Sequence, residues 1–248
     1  MGQEQPWTGR LFLAPGVLLY LGEGGAADEH AHHAVQFVWE FDAARAALIP
    51  GGVPHRFDAR GGRIALALVD AHGRRGSSLD RAAHALAGTD LTTRLRGIPQ
   101  PQEDQAIAWC GIVLSTLSGH EPPRDPSQAV QRALGYLDTA IDGAPRLAEA
   151  AAAAHVSPSR LTHLFSLEVG LPFRRFVVWL RIKRAVDAIH DGANLTEAAA
   201  RAGFSDSAHL SRVFRATFGL APSAVLHRTT FTAGLWSQPE RSSSGAMR

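Results

Sequence analysis

Three histidines near the start of the chain are the first residues whose types and spacing could do chemistry. The stretch GGAADEHAHHAVQ holds His30 and His32, with Gln36 four residues after His32, and PGGVPH places Pro50, Gly52 and His55 downstream. On a strand, residues two apart face the same side. His30 and His32 would then present two imidazoles together, and His55 from a neighbouring strand would complete a facial set suited to Zn, Ni, Fe or Cu. Gln36 adds a weak, neutral fourth ligand, and His33 points the other way, to solvent. Two readings stay open. Either a divalent transition metal sits at His30, His32, Gln36 and His55, or the site is metal-free and its histidines line a pocket for an organic effector or a wet strand. Glu29 and Glu40 are the close carboxylates, a thin inventory for acid–base catalysis. No catalytic residue is therefore assigned.

A second constellation is a repeat. LAEAAAAAHVSPSRLTHLFSLEVGLP begins at Leu147, and LTEAAARAGFSDSAHLSRVFRATFGLAP begins at Leu195, with one extra residue after its turn. Each copy reads as a short helix, a turn, a second helix and a closing Gly-Leu. In the first, Leu147, Ala151 and Ala154 share a face of small side chains that lets a second helix approach closely. His155 and Val156 make the turn, Ser157 is a natural N-cap, and Pro158 suits the first helical position. Leu161, Leu164 and Phe165 form the buried stripe. In the second copy Leu195, Ala199 and Ala202 take the first role. Gly203 turns, Phe204 packs inward, Ser205 caps, and Leu210, Val213, Phe214 and Phe218 face the core. Two helices joined by a tight turn can place the second in a major groove.

Between the copies, PFRRFVVWLRIKRAVDAIHDG opens with Pro172 and closes with Gly192. About 19 helical residues span roughly 28 Å, against about 34 Å for one turn of B-DNA, so this helix could hold the two units in consecutive major grooves. Arg174, Arg175, Arg181, Lys183 and Arg184 supply cations for backbone contacts or for intramolecular ion pairs. With WLRIKRA in the linker and LTEAAARAGFSDSAHLSRVFRATFGLAPSAV after it, residues 127–228 resemble the DNA-binding domain of the AraC/XylS family of transcription regulators. The resemblance implies a seven-helix domain with two recognition helices, often used as a dimer. By position in the motif, the first recognition helix exposes Ser159, Thr162 and His163, and the second exposes Ser207, Ala208, His209 and Arg212. Arg212 is the best candidate for guanine O6 and N7, and Arg160 and Arg215 for phosphate. Readers in the family's first unit are often longer side chains, so the small Ser159 and Thr162 predict weaker direct readout there. The histidine motifs, His-x-His and Pro-x-Gly-x-x-His, resemble those of the cupin superfamily, with Gln36 where cupin enzymes usually carry Glu.

The elements that must position these residues follow from texture. Up to about Asp70 the apolar segments LFLAPGVLLYLG, AVQFVWEF, AALIPGG and GRIALALVD are short and broken by Gly and Pro, the pattern of an all-β region. From Leu79, DRAAHALAG and EDQAIAWCGIVLSTLSG have helical spacing, and the second is apolar enough to cover the sheet or to pair with its twin in a homodimer. Prolines in Gly119–Ser127 interrupt this pattern. The chain thus reads as α+β with two domains. Residues 1–75 form a cupin-like sensor barrel and 76–118 a helical extension; 119–126 are a linker. Residues 127–231 form an all-α domain with two helix-turn-helix units, and 232–248 a disordered, Ser- and Gly-rich tail.

Charge agrees with that division. Residues 1–126 carry 11 Lys+Arg against 14 Asp+Glu, and residues 127–231 carry 12 against 8. The basic half is where a polyanion would bind, and eleven of its twelve cations are Arg, the side chain suited to forked contacts. The single cysteine, Cys110, cannot form an internal disulfide and reads as a buried apolar group. No secretory or membrane-spanning pattern is evident, so a cytoplasmic location is expected. The expected function is transcription regulation, as an activator or a repressor, under a small-molecule or metal effector. Double-stranded DNA, RNA polymerase and a second copy of the chain are the expected partners. The competing readings are a metal-dependent cupin enzyme fused to a DNA-binding module, and a constitutive DNA binder whose N-terminal half only dimerises.

Overall fold

A computed structural model of the protein describes residues 7–119, 126–218, 222 and 229–232. Its first half is β. Strands β1 (Thr8–Ala14), β2 (Val17–Glu23), β3 (Ala26–His30), β4 (Val35–Glu40), β5 (Arg45–Ile49), β6 (His55–Asp58) and β7 (Arg63–Val69) are followed by α1 (Arg74–Ala85), α2 (Leu91–Arg94) and α3 (Ala106–Ser118). Hydrogen bonding arranges the strands as a six-stranded sheet, β5-β4-β7-β2-β1-β8, and a two-stranded ribbon, β3-β6. Strand β8 (Thr229–Thr232) comes from the far end of the chain and runs parallel to β1, Gly9 opposite Thr229; the other pairs are antiparallel. The expectation of a disordered tail after Thr232 lies outside the described residues.

Both faces of the large sheet are covered, and the period-two alternation of its strands shows how. Phe12, Val17, Leu19, Phe37, Ala65 and Ala67 point to one side, where α1 and α3 close over them. Leu11, Leu13, Leu18, Tyr20, Ile64 and Leu66 point to the other side, into a core continuous with that of the C-terminal helices. Helix α3 buries Ala106, Trp109, Cys110, Val113, Leu114 and Leu117 within the chain. Of the two roles open to it, covering the sheet is the one seen. Cys110 is fully inside, where loss of water pushes its thiol up to about 12 while the neighbouring Arg75 pulls the other way. A thiol this protonated is not a nucleophile.

The second half is helical: α4 (Gln128–Ala140), α5 (Leu147–Ala153), α6 (Pro158–Glu168), α7 (Phe173–His190), α8 (Leu195–Arg201) and α9 (Ser207–Phe218). Phe165 of α6 is fully buried against Phe173 and Phe176 of α7, ring centroids 5.5 and 5.2 Å away in edge-to-face contact. Truncating such a ring costs about 3–5 kcal/mol. Among the described residues no helix is long and apolar enough to cross a membrane.

The two halves meet tightly. A Cβ on Gly73 would stand 1.8 Å from the carbonyl oxygen of Gly170, so no side chain fits at this approach. Beside it lies Asp70, at the end of β7, whose side chain is 2% exposed. Its Oδ2 accepts from the Arg175 Nη2–H at 2.5 Å and Nε–H at 3.1 Å, and its Oδ1 accepts from the backbone N–H of His72 at 2.9 Å. A carboxylate this desolvated needs such partners. Removing one partner of a buried pair costs about 3–5 kcal/mol, because the other charge stays buried.

Candidate functional site

The repeat folds as two matching helix pairs. After α5 the chain enters the left-handed region at His155 (φ 56°), and the Val156 N–H donates to the Ala151 carbonyl at 3.0 Å. After α8 the same turn forms at Gly203 (φ 74°), with the Phe204 N–H donating to the Ala199 carbonyl at 2.9 Å. These six-to-one bonds close each first helix and aim each second one. Ser157 caps α6, its hydroxyl accepting the Arg160 N–H at 3.2 Å, with Pro158 in the first turn. The second cap differs from expectation. Asp206, not Ser205, precedes the first residue of α9, and its Oδ1 accepts the His209 N–H at 2.5 Å. The residue inserted after this turn shifts the cap by one. The bond to His209, followed by the Ser205 hydroxyl and the nearby Arg212 and His209, holds the Asp206 carboxyl below the usual range. Ser205 contacts Asp206 Oδ2 at 3.2 Å and His209 Nδ1 at 3.0 Å.

Packing decides which side chains face out. Leu161 and Phe165 are buried on α6, as are Leu210 and Phe214 on α9, and Val213 packs partly buried against the same core. Ser159, Arg160, Thr162 and His163 are exposed, as are Ala208, Arg212 and Arg215, while Ser207 and His209 are half-buried. Two of these have local partners. The Thr162 hydroxyl donates to the Pro158 carbonyl at 2.9 Å, and the His209 ring stands edge-on to Phe204 at 5.3 Å. The expected core position of the Phe218 side chain lies outside the described residues.

Helix α7 separates the pairs over 18 residues, about 27 Å. Most of its cations serve the fold. Arg175 holds Asp70, Lys183 pairs with Asp187 at 2.7 Å, Arg184 pairs with Asp142, and the Arg181 Nη2–H donates to the Gly143 carbonyl at 2.9 Å. Of the two roles open to these side chains, intramolecular pairing prevails in four; Arg174 is exposed.

The histidine cluster forms, though not along one strand. His30 ends β3, His55 opens β6 directly opposite it, and His32 lies in the following loop. Ring centroids are 4.5 Å apart for His30 and His55, 5.1 Å for His32 and His55, and 5.4 Å for His30 and His32. One ligand nitrogen from each lies within 4.8 Å of the others. His32 Nδ1–H donates to the Ala34 carbonyl and His55 Nδ1–H to the Val53 carbonyl, both at 2.9 Å. In the neutral form of either ring the proton therefore sits on Nδ1 and the lone pair on Nε2. The Nε2 atoms of His32 and His55 each lie 3.1 Å from Oε1 of Gln36. Burial lowers the His32 imidazole below its ordinary value, more than the Gln36 hydrogen bond raises it. Three imidazoles with converging ligand nitrogens are a set that a metal can use, provided those nitrogens carry no proton. His33 is exposed.

The two sites face one another. A cleft of about 510 Å³ has Ala31, His32, His33 and Gly52 on one wall, and Arg212, Arg215 and Ala216 of α9 on the other. Sequence reasoning missed this juxtaposition, and it missed Asp70 because its partner is 105 residues away. Asp206 carried a readable signal, a carboxylate immediately before the first helical residue.

The matched turns make opposite demands. His155 adopts a conformation that disfavours a side chain, so His155→Gly should raise stability by about 0.5–1 kcal/mol. Gly203→Ala should lower it by about 1–2 kcal/mol, since the added Cβ would also stand 3.4 Å from Arg181 Nε. Urea unfolding of the two variants checks both signs.

Comparison with known proteins matches residues 150–228 to a family described as a helix-turn-helix domain. The regulatory protein PocR of Salmonella typhimurium (strain LT2) is 27% identical over 106 residues, which are 41% of this chain and 34% of PocR. The chain thus spans about a third of the length of this curated relative. Among solved structures, ToxT of Vibrio cholerae is similar over 93% of this chain and 96% of its own, at 14% identity and a TM-score of 0.45. A regulator with an AraC-type DNA-binding domain from Chromobacterium violaceum covers 38% of this chain and 86% of its own, at 22% identity and a TM-score of 0.36. Residues 150–228 of this chain are a helix-turn-helix domain.

Proposed function

We propose that the protein is a transcription regulator that reads double-stranded DNA with α6 and α9, the second helices of two helix-turn-helix units. The observation that carries this reading is the matched pair of capped helices, each aimed by the same turn, at the two ends of a buried helix about 27 Å long. That spacing suits consecutive major grooves on one face of the duplex. Arg212 reads guanine, and Arg160 and Arg215 hold phosphates. Ser159, Thr162, His163, Ser207, Ala208 and His209 complete the reading surfaces. The N-terminal region acts as a cupin-like sensor without catalysis.

A duplex, with a major groove about 12 Å wide, does not fit into a cleft of 510 Å³. On this reading the sensor moves away from α9 when DNA binds, and the arrangement described is the closed partner of an open one. The Asp70–Arg175 pair joins the two halves in the closed arrangement.

The histidine cluster fits a divalent transition metal. Three imidazoles, from His30, His32 and His55, would hold it, with the Gln36 side-chain carbonyl, which already faces His32 and His55, as a neutral fourth ligand. Such a cation would sit beneath the wall facing Arg212 and Arg215. Its charge would then bias the cleft towards opening.

Three outcomes test these points. Arg212→Ala should cost about 1–3 kcal/mol on a selected cognate site and little on random DNA, whereas Arg215→Ala should weaken both equally and reduce the salt slope by about one; fluorescence anisotropy at several salt concentrations separates the two. Arg175→Ala removes a cation yet should tighten DNA binding by about fivefold or more, and a loss of affinity would show that the pair does not close the reader. In calorimetric titration the protein should take up one equivalent of Zn²⁺. His32→Ala should abolish uptake, and Gln36→Glu should tighten it by supplying an anionic ligand.

A further inference from the structure

We infer that His72 is the replacement counter-ion of Asp70, so that separation of the two halves takes up a proton at this histidine and the closed arrangement gives way to the open one as pH falls. The inference rests on the closed and open arrangements proposed above.

Asp70 stands at the seam between the halves, its side chain 2% exposed, and it is held from both sides. From α7, Arg175 donates to Oδ2. From the sensor, His72 donates its backbone N–H to Oδ1 at 2.9 Å, and its ring Nδ1 lies 3.0 Å from the same oxygen. The His72 side chain is 53% exposed, so a proton can reach it from solvent. The two partners differ in one respect. Arg175 leaves with the helices when the halves part, whereas His72 stays with Asp70, in the loop between β7 and α1.

Once Arg175 has gone, the carboxylate needs another counter-charge or full hydration, and the ring already in bonding position is that of His72. The other groups around the seam do not compete. Arg75 of α1 lines the same narrow gap, but the group its guanidinium interacts with is Cys110 of α3. His33 meets the His72 ring edge-on at 6.3 Å; it carries no negative charge and gives His72 no reason to gain a proton.

The sign follows from the charges. In the closed arrangement the Arg175 cation offsets the Asp70 anion, and a proton added to His72 gains little. In the open one the anion faces His72 alone and favours the imidazolium. The open arrangement therefore binds the proton more tightly, and by linkage acidification favours it. The closed arrangement is favoured at about pH 8 and loses ground towards about pH 6, the range in which histidines charge.

The test follows the His72 ring by NMR in the full-length protein across that range, its signal assigned with His72→Gln. In Arg175→Gln, which keeps a donor for Asp70 and removes the charge, His72 should hold its proton about tenfold more tightly than in wild type. No change, or weaker binding, overturns the proposal. If Arg175→Gln does not fold, Asp70→Asn decides. With the anion gone and Arg175 in place, the proton should be held about threefold or more loosely, and an unchanged titration overturns the proposal. Fluorescence anisotropy reads the consequence. Between about pH 8 and about pH 6 the wild type should gain about fivefold more DNA affinity than His72→Gln, and equal gains overturn the proposal. The NMR titration needs no DNA, so a protein that binds none contradicts the DNA reading while the role of His72 is still decided.

Discussion

The distance between the two helix pairs is fixed by the burial of α7. Phe173, Phe176, Val177, Trp179, Ile182, Ala185, Val186 and Ala188 are all inside, distributed around the helix rather than along one stripe. A helix buried on most sides is held by its neighbours and cannot bend or slide without opening gaps, and interiors packed to crystal-like density resist that. The cations that remain on α7 reach across to adjoining loops. Arg181 bonds the Gly143 carbonyl before α5 and its guanidinium lies under the turn at Gly203 before α9. One side chain thus touches the approaches to both units.

The same economy of contacts joins this assembly to the sheet. Gly73 meets Gly170 backbone to backbone, and Asp70 binds Arg175 with little water around it. A buried carboxylate either has its guanidinium or must be solvated. This is the contact that the proposed switch between a closed and an open reader would have to break. His32 of the histidine cluster lies on the wall opposite Arg212 and Arg215, where a change in charge would be felt across the cleft. Strand β8 adds a second tie, because the chain beyond α9 returns to pair with β1.

Much of this was legible in the sequence, and the exceptions have reasons. The strands up to Val69 and the helices after it follow from period-two and helical spacing, and the paired turns follow from self-similarity at Leu147 and Leu195. The convergence of His30, His32 and His55 was legible from motif spacing, although His32 reaches the cluster from a loop rather than from β3. Local reasoning misplaced the second cap by one residue, since Ser205 and Asp206 are both good caps and only the helix start distinguishes them. The fates of Arg175 and Arg184 were not legible. Their partners, Asp70 and Asp142, are distant in the chain, and long-range pairing leaves no periodic trace. The return of residues 229–232 to the first strand is hidden for the same reason.

The central claim is that one buried helix holds two readers a groove apart on a single duplex. Hydroxyl-radical and methylation-protection footprinting on a duplex selected for tight binding measures this directly. The account predicts two protected major-groove segments, centred about 10 base pairs apart and on the same face of the DNA. A single protected segment, or two on opposite faces, would contradict it.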